Sequence, residues 1–484
     1  MSFVSELQPT TLWGHFDTIL TIPRGSKKEE AARAHVVAIA DGAGLDHVVD
    51  SVGNVVVRKP GTAGREGAPI IVLQAHLDMV QEKNSETEFD FDTEAIRPVM
   101  DGEYLTADGT TLGSDNGIGV AAMLAILEAD DIAHGPLEFL FTIDEETGLT
   151  GAGGLAEDLL QGRRLINLDS EEEGVLTIGC AGGADTHLTL PVNRTGIPGD
   201  WQAISIRVEG MKGGHSGVDI HLQRGNAVRL LGRVLYSSLL REELRVASFK
   251  GGNAHNAIPR EADAVIVAPA GAAETIRGLL ACEFEAIKAE LQSIDPGFAW
   301  KVGDVGLPAD AIDAAGTRKM LELVTALPHG VLGMSPDIEG LVETSTNLAV
   351  VKDAGDAVKV LTSTRSSVMT ALSAVRQRIQ AIGALAGAEV QEKDGYPGWK
   401  PDTSSEVLAV MADVYETETG EKPEVGAVHA GLECGIIGEK YPGMDMISFG
   451  PQIDFPHSPD ERVKVPSVEP FWRVLVAALE RMAV

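Results

Sequence analysis

Three short runs, Ile70 to Leu73, Leu137 to Ile143 and Leu165 to Leu168, are largely apolar, without a regular alternation of apolar and polar positions. Such runs read as strands buried on both faces, the kind found in parallel sheets covered by helices. Helical spacing over Lys27 to Ala40 and from about Asn116 to Glu128, with a hairpin-like turn around Gly53 and Asn54, alternates with them. The alternation predicts an α/β sheet packed between helices over residues 1–184.

After GCAGGAD (179–185) the texture changes. Strand-like alternation in Ala203 to Glu209 leads through the glycine-rich MKGGHSG (211–217) into a helical run from Arg224 to Leu240. Paired strand and helix signals continue at Asp263 to Val267, Thr275 to Leu291, Asn347 to Val351, Val358 to Thr364 and Val368 to Leu385. No exact repeat is visible, yet two α+β halves side by side suit this order. The stretch ends at KDGYPGWKPD (393–402), whose Gly, Pro and aromatic residues read as a linker. A helical Ser404 to Thr417 and an apolar Met444 to Phe449 then return to the first texture. The expected plan is one α/β domain split into 1–184 and 399–484, with an α+β region, 185–398, inserted between.

Composition narrows the function. The chain has 484 residues, 44% of them hydrophobic, enough for two or three folded regions. A formal charge of −33 repels phosphate backbones, so neither nucleic acid nor anionic membrane is expected as a partner. Cys180, Cys282 and Cys434 are scattered, which suggests neither disulfides nor a thiolate metal site and fits a reducing cytoplasm. The opening MSFVSELQPTTLWGHF has no basic start followed by an apolar run, so it does not read as a signal peptide. The longest apolar stretch, Gly117 to Leu127, is too short to cross a bilayer.

Five separated segments carry metal-ligand residue types: QAHLDMV with His76 and Asp78, GSDNGIG with Asp115, IDEETG with Glu145 and Glu146, NLDSEEEG with Asp169, and FPHSPDERV with His457. Three of them follow the apolar runs, so their ligands fall just past strand carboxyl ends, where open α/β sheets place their sites. Two divalent ions can share one carboxylate while each takes a His and another carboxylate, leaving room for a bridging water that becomes hydroxide near neutral pH. Two His and three carboxylates satisfy that inventory, with two carboxylates to spare. A carboxylate beside a ligand can take the water's proton, and one two residues from a ligating His can orient the imidazole.

HLDMV, GSDNGIGVA, DEETG, a later Asp and a carboxy-terminal His, in this order, resemble the di-zinc peptidase family of carnosinases, dipeptidases and aminoacylase-like amidohydrolases. MKGGHSG, GGNAHNAIPREA (251–262), HAGLECG (429–435) and HSPDERV (457–463) resemble its aminoacyl-histidine (Xaa-His) dipeptidase branch, and the likeness spans nearly the whole chain. The resemblance implies that Asp115 bridges two ions, His76 and Asp169 hold one, and Glu146 and His457 hold the other. It implies Glu145 as general base, Asp78 as partner of His76, His215 as oxyanion stabiliser, and Asn256, Arg365 and Gly431 as substrate-carboxylate groups. It also implies a cis peptide between Asp115 and Asn116. The inserted region becomes a lid about twice the usual length. Such a lid is compatible either with a chain that completes its own site or with a homodimer.

The expected activity is metal-dependent hydrolysis of small peptides, with Xaa-His dipeptides such as carnosine among the substrates. Zinc is the expected ion, and carboxylate and imidazole ligands also suit cobalt or manganese. The alternatives are an N-acyl-amino-acid amidohydrolase or desuccinylase on the same scaffold, and a catalytically inactive metal-binding protein. Glu171 to Glu173 read as a solvated charge run, and Cys434 as a small packed residue. His429, beside Gly431, either lines the site or is structural.

Overall fold

The computed structural model describes residues 2–483, and their contacts divide the chain into two units. The first takes the residues up to Gly179, Trp399–Ala427 and those from Leu432 onward. The second takes Cys180–Gly398 and Val428–Gly431.

The first unit is built on a mixed eight-stranded sheet in the order Asp46–Val49, Val55–Lys59, Leu137–Thr142, Ile71–His76, Arg164–Asn167, Asp445–Ser448, Val175–Cys180, Glu424–Val428. From Leu137–Thr142 to Asp445–Ser448 neighbouring strands are parallel, and the strands flanking them are antiparallel. Every residue of Ile71–His76 and Leu137–Thr142 is buried, which is why these strands lack an alternating pattern. The helix Ser114–Glu128 is buried from Ser114 through Leu127, and a helix with no solvent face is apolar all round. The first expected helix starts later than its spacing suggests, at Glu30. Lys27 has a φ of 68° and gives its N–H to the Glu29 carboxylate at 2.7 Å, so the chain turns before the helix begins. A smaller four-stranded sheet, Ile453–Asp454, Arg462–Lys464, Tyr104–Ala107 and Pro98–Asp101, frames the loop that carries His457.

The second unit is an antiparallel sheet in the order Ala299–Val305, Trp201–Glu209, Ala262–Pro269, Arg245–Gly251, Val342–Asp353, Ala357–Ser366, Gly182–Pro191, Glu389–Glu392, with Gly330–Met334 also paired to Val342–Asp353. It resolves into two halves of the same strand, helix, strand, strand, helix, strand plan. One uses Trp201–Glu209, helix Ala227–Leu239, Arg245–Gly251, Ala262–Pro269, helix Ala270–Leu291 and Ala299–Val305. The other uses Gly182–Pro191, helix Ala314–Ala326, Val342–Asp353, Ala357–Ser366, helix Met369–Ala386 and Glu389–Glu392. In each half the third strand lies between the first and second, and the fourth lies beyond the first. The two orders therefore mirror each other across the junction, where Lys250 faces Lys352 and Gly251 faces Val351. Leu231, Leu235, Ile266, Ile276, Phe284 and Leu321 belong to one continuous core under this sheet.

The glycine- and proline-rich segment 393–402 is packed rather than free. Tyr396 pairs with Gly183, and a Cβ at Gly183 would lie 2.6 Å from the Tyr396 hydroxyl, so glycine is required there for the approach.

Candidate active site

In the first unit, His76 ends its strand with Nε2 3.0 Å from Asp115 Oδ1 and 3.2 Å from Asp169 Oδ1. The other oxygen of Asp115, Oδ2, lies 3.2 Å from His457 Nε2, which is itself 3.0 Å from Glu146 Oε2. Two triads thus meet on the two oxygens of one carboxylate: His76, Asp115 and Asp169 on one side, Asp115, Glu146 and His457 on the other. Within each triad the candidate ligand atoms lie within 4.8 Å of one another. Asp115 stands in the first turn of its helix in non-helical backbone, φ −80° and ψ 114°, and its peptide bond to Asn116 is cis, as the resemblance implies.

Asp78 lies behind His76, its Oδ1 3.3 Å from His76 Nδ1. It also accepts the Ser26 hydroxyl at 2.7 Å and the backbone N–H groups of Glu145 and Glu146 at 3.0 and 3.2 Å. One carboxylate therefore ties the first His to the turn that bears both glutamates. Glu145 forms a candidate ligand set with His76 and Glu146, so position alone does not separate the two glutamates.

The electrostatics follow from burying five carboxyls and two imidazoles together. Burial alone would lower His76, but Asp169, Asp115 and Asp78 hold it well above the ordinary imidazole range. Hydrogen bonds with Asp115 and Glu146 push His457 up to about 11. Burial raises Asp169 and Glu146, and raises Glu145 well above the usual carboxylate range. Against its own burial, Asp115 is lowered by its bonds to His457 and His76. Groups that crowd like charges and hold protons this firmly suit a cation in the protons' place. Glu146 Oε1 is buried without a hydrogen-bond partner, as a ligand oxygen facing an ion would be. The nitrogen and oxygen donors fit two zinc ions, and fit cobalt or manganese as well.

Sequence reasoning missed several groups around this cluster. Glu433 is fully buried, accepts Gln74 Nε2 and Thr142 Oγ1 at 2.6 Å each, and is pushed by burial up to about 8. Gln74 lies two residues before His76 on its strand, and Thr142 ends the neighbouring strand opposite His76, so Glu433 ties these two strands together beside the site. Glu171 is half-buried rather than solvated, and burial with Asp115 and Asp169 raises it to about 9. Arg24 and Glu461 are buried beside the Asp115 turn. Glu461 stands within a motif singled out above. Nothing in a single sequence distinguishes a buried Arg or Glu from a surface one.

His215, Asn256, Arg365 and Gly431 belong to the second unit. A two-stranded ladder pairs His215 with Ala257, and Ser216 N–H donates to the Asn256 carbonyl at 2.7 Å, so His215 and Asn256 are brought together. Nδ1 of His215 accepts the N–H groups of Gly217 and Val218 at 3.3 and 3.1 Å, while burial and Arg365 lower the ring to about 4. The neutral ring therefore carries its proton on Nε2. Arg365 donates to the Tyr396 hydroxyl at 2.9 Å, and its other terminal nitrogen lies 3.5 Å from His215 Nε2. A Cβ on Gly431 would sit 2.8 Å from the Tyr396 ring. His429 is buried, 2.8 Å from the Ser345 hydroxyl, and burial lowers it to about 3. A cavity of about 650 Å³ beside His215 and Asn256 is also lined by Lys212, Lys250 and Arg260.

Residues 72–481 match the model of peptidase family M20/M25/M40. The chain is 41% identical over 482 residues to the cytosol non-specific dipeptidase of Escherichia coli strain K12, covering 100% of this chain and 99% of that one. Its fold superposes on the crystal structure of aminoacylhistidine dipeptidase from Vibrio alginolyticus with a TM-score of 0.93 and 45% identity, over 99% of this chain and 98% of that one. Aminopeptidase PepT from Bacillus cereus shares the fold at a TM-score of 0.58 and 16% identity, over 99% of this chain and 100% of that one.

Proposed function

Because the chain belongs to peptidase family M20/M25/M40 and is a metal-dependent dipeptidase, we propose how its own residues divide the work of hydrolysing a dipeptide. The single observation that carries this reading is the carboxylate of Asp115 turned with one oxygen to each His and carboxylate pair. His76 and Asp169 would hold one ion, Glu146 and His457 the other, and Asp115 would contribute to both. When bound, such a pair of divalent ions lowers the pKa of a water and polarises the scissile carbonyl. Asp78 keeps the Nδ1 proton of His76 on its own side, so that Nε2 is the ligating atom. Glu145 takes the proton of the water and delivers it to the leaving amine, and its raised affinity for protons suits that transfer.

The second unit supplies groups for the substrate. His215 Nε2–H and the Arg365 guanidinium are two donors that face each other, an arrangement suited to a substrate oxygen as shared acceptor. We assign the oxyanion to His215 and the terminal carboxylate to Arg365, Asn256 and Gly431. Zinc is the proposed ion, Xaa-His dipeptides are proposed among the substrates, and the cytosol is the proposed compartment. No helix among the described residues is long and apolar enough to cross a membrane.

The test is a panel of dipeptides, Xaa-His members included, offered with free and with acylated amino ends to protein loaded with zinc, cobalt or manganese. Turnover of the free dipeptides and two ions per chain by elemental analysis are expected. Preference for acylated substrates would instead assign an amidohydrolase, and no turnover with two ions bound would assign an inactive metal protein.

His215→Ala is expected to lower kcat roughly a hundredfold to a thousandfold, the loss typical of one oxyanion donor. Metal content stays at the wild-type value. Because the ring is neutral down to about pH 4, the wild-type profile should show no ionisation of His215 between pH 5 and 8. Unchanged kcat in the variant would reduce His215 to a turn residue.

A further inference from the structure

Glu461 follows His457 by four residues and is 2% exposed. Its Oε1 accepts Ser114 N at 2.7 Å, Ser114 Oγ at 2.6 Å and Asp115 N at 3.3 Å, and its Oε2 accepts Leu112 N at 2.9 Å and Gly113 N at 3.0 Å. Every backbone N–H from Leu112 to Asp115 is therefore committed to one carboxylate. The same turn is gripped from its carbonyl side by Arg24, 3% exposed, which donates to Gly113 O and also to Leu77 O and Asp78 O at 3.0 and 2.8 Å. Gly113 is obligatory in this frame: its φ is 73°, and a Cβ there would lie 2.5 Å from Arg24 Nη2.

The loop at the other end is held in unusual backbone. Phe455 and His457 have φ values of 54° and 58°, which non-glycine residues keep only where the surroundings fix them. Thr106 Oγ1 donates to Glu461 O at 2.8 Å, and the Arg462 guanidinium pairs with Asp454 at 3.2 Å and lies over the Tyr104 ring at 4.1 Å.

We infer that Glu461 is a positioning residue for the second metal site: it couples the loop bearing His457 to the turn bearing Asp115, so that these two ligands are placed as one piece. The inference rests on reading Asp115 and His457 as ligands. The site of His76, Asp115 and Asp169 leans less on this link, because His76 is carried by a central strand and Asp169 stands two residues past the end of another. A carboxylate is needed because all five partners are donors. Glutamine has the same shape but turns an NH₂ against at least two N–H groups.

The experiment is calorimetric titration of zinc into the chelator-stripped full-length chain, with Tm measured on the same samples. Wild type should bind two ions. Glu461→Gln should bind one with nearly wild-type affinity and the other at least roughly tenfold more weakly, the usual loss when a group supporting a ligand is removed. Excess zinc should recover activity in proportion to the second ion. Glu138→Gln is the control, since Glu138 is a buried carboxylate that holds Arg58, Gln161 N and Gly162 N and takes no part in the cluster. It should lower Tm and leave both affinities unchanged. If Glu461→Gln does not fold, Ser114→Ala, which deletes one of the five donors, should weaken the same ion by a smaller factor. The inference is overturned by two wild-type affinities in the Glu461 variant (or, in its place, the Ser114 variant), by equal weakening of both ions, or by the same pattern in Glu138→Gln. A wild-type chain that binds fewer than two ions overturns the reading of the cluster, and this inference with it.

Discussion

Glu145→Gln is expected to lower kcat by at least a hundredfold to ten-thousandfold, the range of general-base catalysis, with both ions still bound. Glutamine keeps the size of the side chain and cannot accept the water's proton. The neighbouring substitution should fail differently. Glu146 Oε2 is 3.0 Å from His457 Nε2, so Glu146→Gln removes a charged ligand and should lower occupancy at one site, with part of the activity returning in excess metal. Both glutamates stand on one short helical turn, Glu145–Gly148, and both belong to a candidate set with His76, so the two variants are what separates their roles. Elemental analysis beside single-turnover rates decides it. A Glu145 variant that loses an ion, next to an inactive Glu146 variant that keeps both, would exchange the two roles.

Asp115→Asn should remove activity altogether, because it strikes both ions at once. The amide offers one oxygen and one NH₂, so whichever way it turns, a donor faces either the His76 and Asp169 pair or the His457 and Glu146 pair. Fewer than one ion per chain should remain after dialysis, and added metal should not restore turnover. Folding should survive, since Glu461 and Arg24 hold the turn by its backbone rather than by the Asp115 side chain. Two tightly bound ions in this variant would show that Asp115 is not the shared ligand.

The parts of this architecture legible in the chain are those where burial leaves a compositional trace. The strands Ile71–His76 and Leu137–Thr142 betray themselves by largely apolar runs, and the residues that follow them stand out as polar at a place where a sheet ends. Arg24 and Glu461 leave no such trace, because a charged side chain satisfied by backbone groups is spelled like a solvated one. Tyr396 lies among glycines and prolines that signal a turn, and its contacts with Gly183, Arg365 and Gly431 come from segments far away in sequence. Long-range closure shapes the second unit as well. Gly182–Pro191 pairs with Ala357–Ser366 across an intervening half, and Val428–Gly431 returns to that unit after the chain has left it. Local periodicity carries no record of either event.

The mirrored halves of the second unit bear on how such a protein can change over generations. A symmetric pair made from two copies of one chain must use a single coding sequence in both places, so any substitution helpful in one is imposed on the other. With both halves in one reading frame that coupling is gone. Here His215 and Asn256 lie with the half running from Trp201–Glu209 to Ala299–Val305, whereas Arg365 lies on Ala357–Ser366, in the other. Each half can drift, be trimmed or be recruited to a new specificity on its own, and the two can become unrecognisable as relatives in sequence while their strand orders still match.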